Sequence, residues 1–291
     1  MRFGPDVADG EQCPVSCIGI LEIGAWAVVL YAAHRITTGK RAGVSVFRFQ
    51  QFSVQQGQSG MKVCTDATLF GAMAPVVGGE KVLDIGTGTG LLALMAAQLG
   101  AGSVMAVELN REAYEEACSN FRNSPWNVHL QAVHADIRKY AATCNESFDL
   151  IISNPPFFQR HSKSSDDLRK LARHTDELAY PELLACAAKL LSDDGRLYLL
   201  LPVMVVAQIR EEAGKSGLFL SRRINLKGYA RNRAKVAALL FSRTELKYEE
   251  KELTIYRAER EYSKESERFL APFLLRFADA GKTVGRASAR Q

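Results

Sequence analysis

The stretch Asp84-Ile85-Gly86-Thr87-Gly88-Thr89-Gly90 constrains this chain more than any other. A short apolar run, Val82 to Ile85, precedes it with strand character, and Leu91 to Leu99 follows it with helical periodicity. Glycines between a strand and a helix let a ligand approach the backbone closely, and the helix start supplies free N–H groups. The alternation continues downstream. Val104–Glu108, Val128–Ala135, Phe148–Ser153, Arg196–Leu201, Leu218–Asn225 and Val236–Ser242 read as strands, and Arg111–Phe121, Pro181–Leu191 and Val205–Lys215 as helices among them. This pattern predicts an α/β fold, a doubly wound, Rossmann-like sheet of seven mostly parallel strands. The charge-dense run Glu245–Glu267 predicts a solvated helix face or loop.

A glycine turn alone is weak evidence, since some such matches are merely tight turns with no ligand. No lysine follows it in the P-loop pattern, which excludes a P-loop. Glu108 ends the next strand about 20 residues beyond the glycines, where a ribose-binding carboxylate belongs. Taken singly, Glu108 is also compatible with a solvated strand end, and the turn with a dinucleotide oxidoreductase.

Asn154-Pro155-Pro156-Phe157 stands directly after the strand ending at Ser153. Two prolines stiffen this loop and remove backbone donors. Carbonyls and the Asn154 amide oxygen are left facing the crevice at the strand's carboxyl end, where ligands of such sheets bind. Acceptors there, beside the flat ring of Phe157, suit a planar substrate bearing an NH₂ group. The alternative is a turn whose Phe157 fills the core.

The 291 residues are 47% hydrophobic and 24% charged, which excludes disordered, collagenous and disulfide-framework chains. The net charge of +5 divides unevenly: 4 − 4 = 0 over residues 1–46, 7 − 10 = −3 over 47–150 and 26 − 18 = +8 over 151–291. An acidic cofactor half beside a basic substrate half fits an anionic partner at the second. Arg222, Arg223, Lys227, Arg231, Arg233 and Lys235 run without an intervening acid, with Tyr229 among them, and are candidates to hold phosphates and stack on a base. Arg160 to His174 adds further basic residues, diluted by Asp166 and Asp167, while His161 and His174 have no assigned role. Six cysteines without paired spacing read as reduced thiols of a cytoplasmic protein, with no metal site. Ile18 to Ala33 is interrupted by Glu22 and falls short of the roughly 20 residues of a membrane span. Asp6, Asp9 and Glu11 stand where a secretory signal needs positive charge. Residues 1–46 therefore read as a poorly specified extension, with translation beginning near Val44 or Val46 as one explanation, and 281–291 as a frayed basic tail. Residues 47–280 form the single domain, and a monomer is expected.

The glycine turn together with Asn154-Pro155-Pro156-Phe157 resembles the class I S-adenosylmethionine (SAM)-dependent methyltransferases, specifically those acting on exocyclic or amide nitrogen. Phe49-Gln50-Gln51-Phe52-Ser53-Val54, Ser59-Gly60-Met61-Lys62-Val63-Cys64-Thr65-Asp66-Ala67 and Asn123-Ser124-Pro125-Trp126 are similar to the bacterial tRNA(Val) adenine-N6-methyltransferase family, over Phe47 to Phe277. The resemblance implies a last strand running antiparallel, SAM as cofactor, and methyl transfer to the adenine immediately 3′ of the anticodon. It also implies site roles. Lys62, Thr65 and Asp66 lie by the methionine end of SAM, and Asp84, Gly86, Gly88 and Gly90 form its floor. Glu108 takes the ribose hydroxyls, and Asp136 and Ile137 meet the adenine, with a helix N-cap as the alternative for Asp136. Asn154, Pro155 and Phe157 hold the target base. Rival readings are a protein-glutamine N5-methyltransferase, an rRNA guanine-N2-methyltransferase and a SAM-binding module without catalysis.

Overall fold

The alternation of apolar strands and amphipathic helices closes into one twisted sheet with helices on both faces. A computed structural model describes residues 45–57, 62–155 and 178–278. A hairpin of β1 (Val46–Arg48) and β2 (Ser53–Gln55) precedes α1 (Thr65–Ala72). Then follow β3 (Lys81–Ile85), α2 (Leu91–Gln98), β4 (Ser103–Glu108), α3 (Arg111–Arg122), β5 (Leu130–His134), α4 (Ile137–Thr143) and β6 (Phe148–Ser153). Beyond the second gap come α5 (Tyr180–Leu190), β7 (Leu191–Pro202), α6 (Val206–Lys215), β8 (Phe219–Lys227), β9 (Val236–Ser242) and β10 (Glu249–Thr254). A short hairpin, β11 (Tyr256–Ala258) and β12 (Glu261–Tyr262), and helix α7 (Lys264–Leu270) complete the described chain.

The main sheet has the order β10-β8-β9-β7-β6-β3-β4-β5. Only β9 is reversed, antiparallel to both β7 and β8. The doubly wound class is as expected, and Val236–Ser242, the last strand read from the sequence, is β9 and runs antiparallel; the sheet has eight strands rather than seven, the eighth being β10, parallel to β8. This extra strand falls inside the run expected to be a solvated helix face or loop. It lies at the sheet edge and is exposed at Glu249, Glu250, Lys251 and Glu252, so it lacks the apolar alternation that marks a half-buried strand.

Alternate residues of each strand feed two cores, one on each face. Val82, Leu150, Ile152, Tyr198 and Leu200 join Phe70, Leu94, Met95 and Phe121 of α1, α2 and α3. Leu83, Ile151, Leu197 and Leu199 join Ile137, Leu183 and Ile209 of α4, α5 and α6. Burial on both faces explains the near-continuous apolar strands of the sequence. All parallel strands end on one edge, and that edge carries Ile85, Glu108, Ser153, Lys227 and Thr254. No described helix is long and apolar enough to cross a membrane.

Candidate active site

The two motifs meet because β3 and β6 are neighbours. Ile85 is the register partner of Ser153, and the Ser153 hydroxyl donates to the Ile85 carbonyl at 2.7 Å. The glycine turn and the Asn154-Pro155 loop thus leave adjacent strands side by side. Asn154 is half-buried and Pro155 buried. Pro156, Phe157 and the run Arg160–His174 lie outside the described residues.

Gly86 and Gly88 have φ of 70° and 58°, the left-handed region that favours glycine, and a Cβ at either would meet only open space. The turn therefore presents bare backbone to a ligand. Gly90 has a different reason: a Cβ there would stand 2.4 Å from the Phe121 ring, so its absence lets α2 start against α3. Beneath the turn, Asp84 is fully buried. Its Oδ2 accepts the Thr87 hydroxyl at 2.6 Å, while Oδ1 has no partner. Burial pushes its carboxyl up to about 7, and the nearby Glu108 charge adds to that; the Thr87 hydroxyl and the Ala93 N–H pull the other way. A buried carboxylate oxygen without a donor is costly unless a ligand supplies one. The open cradle and the orphaned oxygen together fit a cofactor carrying N–H donors and a positive charge.

Glu108 reaches back to the turn. Its Oε2 accepts from Gly88 N at 2.7 Å and its Oε1 from Asn110 N at 2.8 Å. Each carboxylate oxygen keeps a second acceptor position, so ribose hydroxyls can still donate to it. Asp136 is the N-cap of α4, accepting from Arg138 N at 2.8 Å and from the Arg138 guanidinium on both oxygens. That guanidinium holds its carboxyl below the usual carboxylate range. The N-cap alternative weighed for Asp136 is thus realised, and Ile137 behind it is buried in the core.

Lys62 is exposed, and Thr65 and Asp66 begin α1 half-buried. Burial raises the Asp66 carboxyl, against the charge of Lys235. The Thr65 and Tyr256 hydroxyls are hydrogen-bonded at 2.8 Å, tying this segment to the β11–β12 hairpin.

The basic run is less open than its sequence suggests. Register pairs Arg222 with Glu249, Arg223 with Glu250 and Asn225 with Glu252 on β10. Ion pairs form at 3.6 Å (Arg222–Glu249), 3.4 Å (Arg223–Glu250) and 2.5 Å (Lys227–Glu252). A run without an intervening acid along the chain is therefore interleaved with acids in space.

Sequence reading missed Asn120. It is buried in α3, where its Oδ1 accepts from Gln55 N at 2.8 Å and its Nδ2 donates to Gln55 O at 3.1 Å and to Thr89 O at 2.8 Å. Gln56, the next residue, accepts Val63 N on its side chain at 2.6 Å. Asn120 thereby fixes the glycine turn against the segment that leads to Thr65. An amide on a polar-faced helix carries no sequence signal for this. Asn120→Ala leaves three backbone groups without these partners, at about 1–3 kcal/mol for each left buried. The expected result is a KM for cofactor raised about tenfold with kcat within about twofold, in initial-rate measurements well below the melting temperature; an unchanged KM would remove the role.

A family model, the methyltransferase small domain, matches residues 65–208. A protein of Trichodesmium erythraeum, named tRNA1(Val) (adenine(37)-N6)-methyltransferase, is 39% identical over 238 residues, covering 81% of this chain and 100% of that one. One of the same name from Tolumonas auensis is 40% identical, covering 80% and 98%. The chain belongs to the tRNA1(Val) (adenine(37)-N6)-methyltransferase family. Among solved structures, a predicted O-methyltransferase of Agrobacterium tumefaciens superposes with a TM-score of 0.57 at 16% identity, over 70% of this chain and 95% of that one. A protein described as a methyltransferase complexed with S-adenosylhomocysteine gives 0.51 at 17% identity, over 71% and 57%. Both likenesses confirm the Rossmann-like methyltransferase fold. Membership makes the chain a SAM-dependent methyltransferase, and the dinucleotide oxidoreductase alternative falls away. Among the described residues no group of three metal-ligating side chains gathers.

Proposed function

We propose that this chain methylates the exocyclic N6 of the adenine immediately 3′ of the anticodon of tRNA-Val, in the cytoplasm. The observation that supports this reading is the Ser153–Ile85 bond, which joins the ends of the two strands that lead into the Asn154-Pro155 loop and the glycine turn, in a chain whose relatives bear that name. SAM, held by Gly86, Gly88, Asp84 and Glu108 with Lys62, Thr65 and Asp66 at its methionine end, supplies a sulfonium-activated methyl group. The remaining work is positioning and charge stabilisation. The adenine amine is a poor nucleophile because its lone pair is delocalised into the ring. Asn154 Oδ1 and the Pro155 carbonyl accept its two N–H bonds, favour the pyramidal nitrogen and stabilise the positive charge that develops on it. Phe157 stacks on the ring. The methylated nitrogen is acidic enough to release its proton to water, so these residues include no dedicated base. An anticodon-loop base is already partly unstacked, which lowers the cost of bringing it into the pocket.

Labelled SAM incubated with unmodified total tRNA, followed by nucleoside analysis, tests the assignment. N6-methyladenosine is the expected product. Label recovered in guanine or in protein would replace the reading by a guanine-N2 or a glutamine-N5 methyltransferase.

A further inference from the structure

Four rings form a row at the sheet edge that bears the site. Tyr229, in the loop between β8 and β9, lies 5.7 Å from Tyr256; Tyr256 is stacked on Tyr262 at 5.1 Å, and Tyr262 lies 6.2 Å from Phe277. The Arg276 guanidinium covers Tyr262 at 5.1 Å and Phe277 at 5.4 Å. All four rings are half-buried rather than sunk in the core. The row touches the site directly, because Tyr256 is hydrogen-bonded to Thr65, the neighbour of Asp66. At its other end, Tyr229 shares its loop with Arg231, Arg233 and Lys235, all exposed. Among the described residues no carboxylate lies within 4 Å of these three, in contrast to Arg222, Arg223 and Lys227, which are paired with β10. The free cations of the basic run are therefore gathered at the ring row, on the edge where Asn154 emerges.

Aromatic faces beside unneutralised cations are what a single-stranded nucleic acid needs: stacking for bases and charge for phosphates. A duplex would offer no unstacked base for these rings. We propose that this row is a docking platform for the anticodon-loop nucleotides next to the target adenine, with Tyr229 stacking on a base and Arg231 and Arg233 holding the adjoining phosphates. The proposal rests on the tRNA reading above and narrows it. It moves RNA contact away from Arg222 and Arg223 and adds the C-terminal hairpin, whose Tyr256 and Tyr262 back the stacking face.

Binding of a synthetic hairpin carrying the tRNA-Val anticodon loop, measured over a series of salt concentrations, tests it. Tyr229→Leu is expected to weaken binding about tenfold, the size of one base–aromatic stack, with the salt slope unchanged. Tyr229→Phe keeps the ring and is expected to bind like wild type. The double variant Arg231→Ala, Arg233→Ala is expected to lower the slope of log affinity against log salt by about 1.4, near 0.7 for each lost single-strand phosphate contact. Lys235 is left in place because its charge acts on Asp66. SAM affinity should be unchanged in all three proteins, which confirms that each is folded. If the wild type methylates the hairpin while Tyr229→Leu or the double variant binds it as wild type does, the platform is overturned and the function stands. If the wild type neither binds nor methylates it, the function falls and the platform with it.

Discussion

Asn154→Ala is expected to lower kcat about 10²–10³-fold, the range for losing one preorganised group aimed at developing charge. Cofactor affinity should stay at the wild-type level, because the residues proposed to hold SAM belong to the β3 turn, the end of β4 and the start of α1 and not to the loop after β6. The split is the diagnostic. An amide at a strand end whose role is only to shape a turn would lower stability and leave turnover in the surviving folded fraction intact. Single-turnover transfer from labelled SAM, alongside calorimetric SAM binding, separates the two. Wild-type turnover in the variant would reject the base-holding role of Asn154.

Asp84→Asn should divide stability from function. The Asp84 carboxyl is raised from 3.8 to about 7, with burial as the leading cause. Between those values the folded protein holds a proton that the unfolded chain has lost. Native stability therefore falls as pH rises from about 4 to about 7 and is level above that. The side chain is fully buried, so the full shift of about 3 pH units applies, on the order of 4 kcal/mol. Asparagine keeps the shape without the charge. Denaturant unfolding of the two cofactor-free proteins should agree near pH 4 and differ in favour of Asp84→Asn by that order near pH 8. The same variant should bind SAM weakly if the proposed role of Asp84 holds, since its unpartnered carboxylate oxygen becomes one end of a neutral amide. Equal stability at both pH values would show that the buried charge is already compensated in the cofactor-free protein.

Two strands that lie between helical layers were legible to the residue, Phe148–Ser153 and Val236–Ser242, whereas their neighbour β7 begins at Leu191 where Arg196 was expected. Burial on both faces writes a nearly continuous apolar run, short enough here to read as a strand rather than a buried helix. Where one side opens, boundaries drift. The strand expected over Val128–Ala135 is Leu130–His134, and Val128 is 72% exposed. β10 escaped notice altogether, because only Leu253 of its six residues is buried and charge dominates the rest. In the site, the glycine turn and Glu108 were readable because their 20-residue separation is the length of one strand-helix-strand crossover, and Glu108 does reach Gly88 across it. Asp136 was ambiguous for a chemical reason: one carboxylate can cap a helix or meet a base, and its Arg138 partner becomes apparent only in space. Asn120 and the Tyr256–Thr65 bond join segments 65 and 191 residues apart, and no local pattern encodes such distant pairings.

β10 has a consequence at the scale of the whole cell. The outermost strand of an open sheet offers a row of unsatisfied backbone groups to any extended segment that drifts by. Here that row is fringed by Glu249, Glu250, Lys251 and Glu252, four consecutive exposed charges, three of them negative. A second strand approaching this margin would have to strip water from those side chains. Cells contain many such segments, nascent chains leaving ribosomes among them. The acids that quiet the arginines of β8 therefore also act as a fence, keeping the sheet from growing at its β10 border.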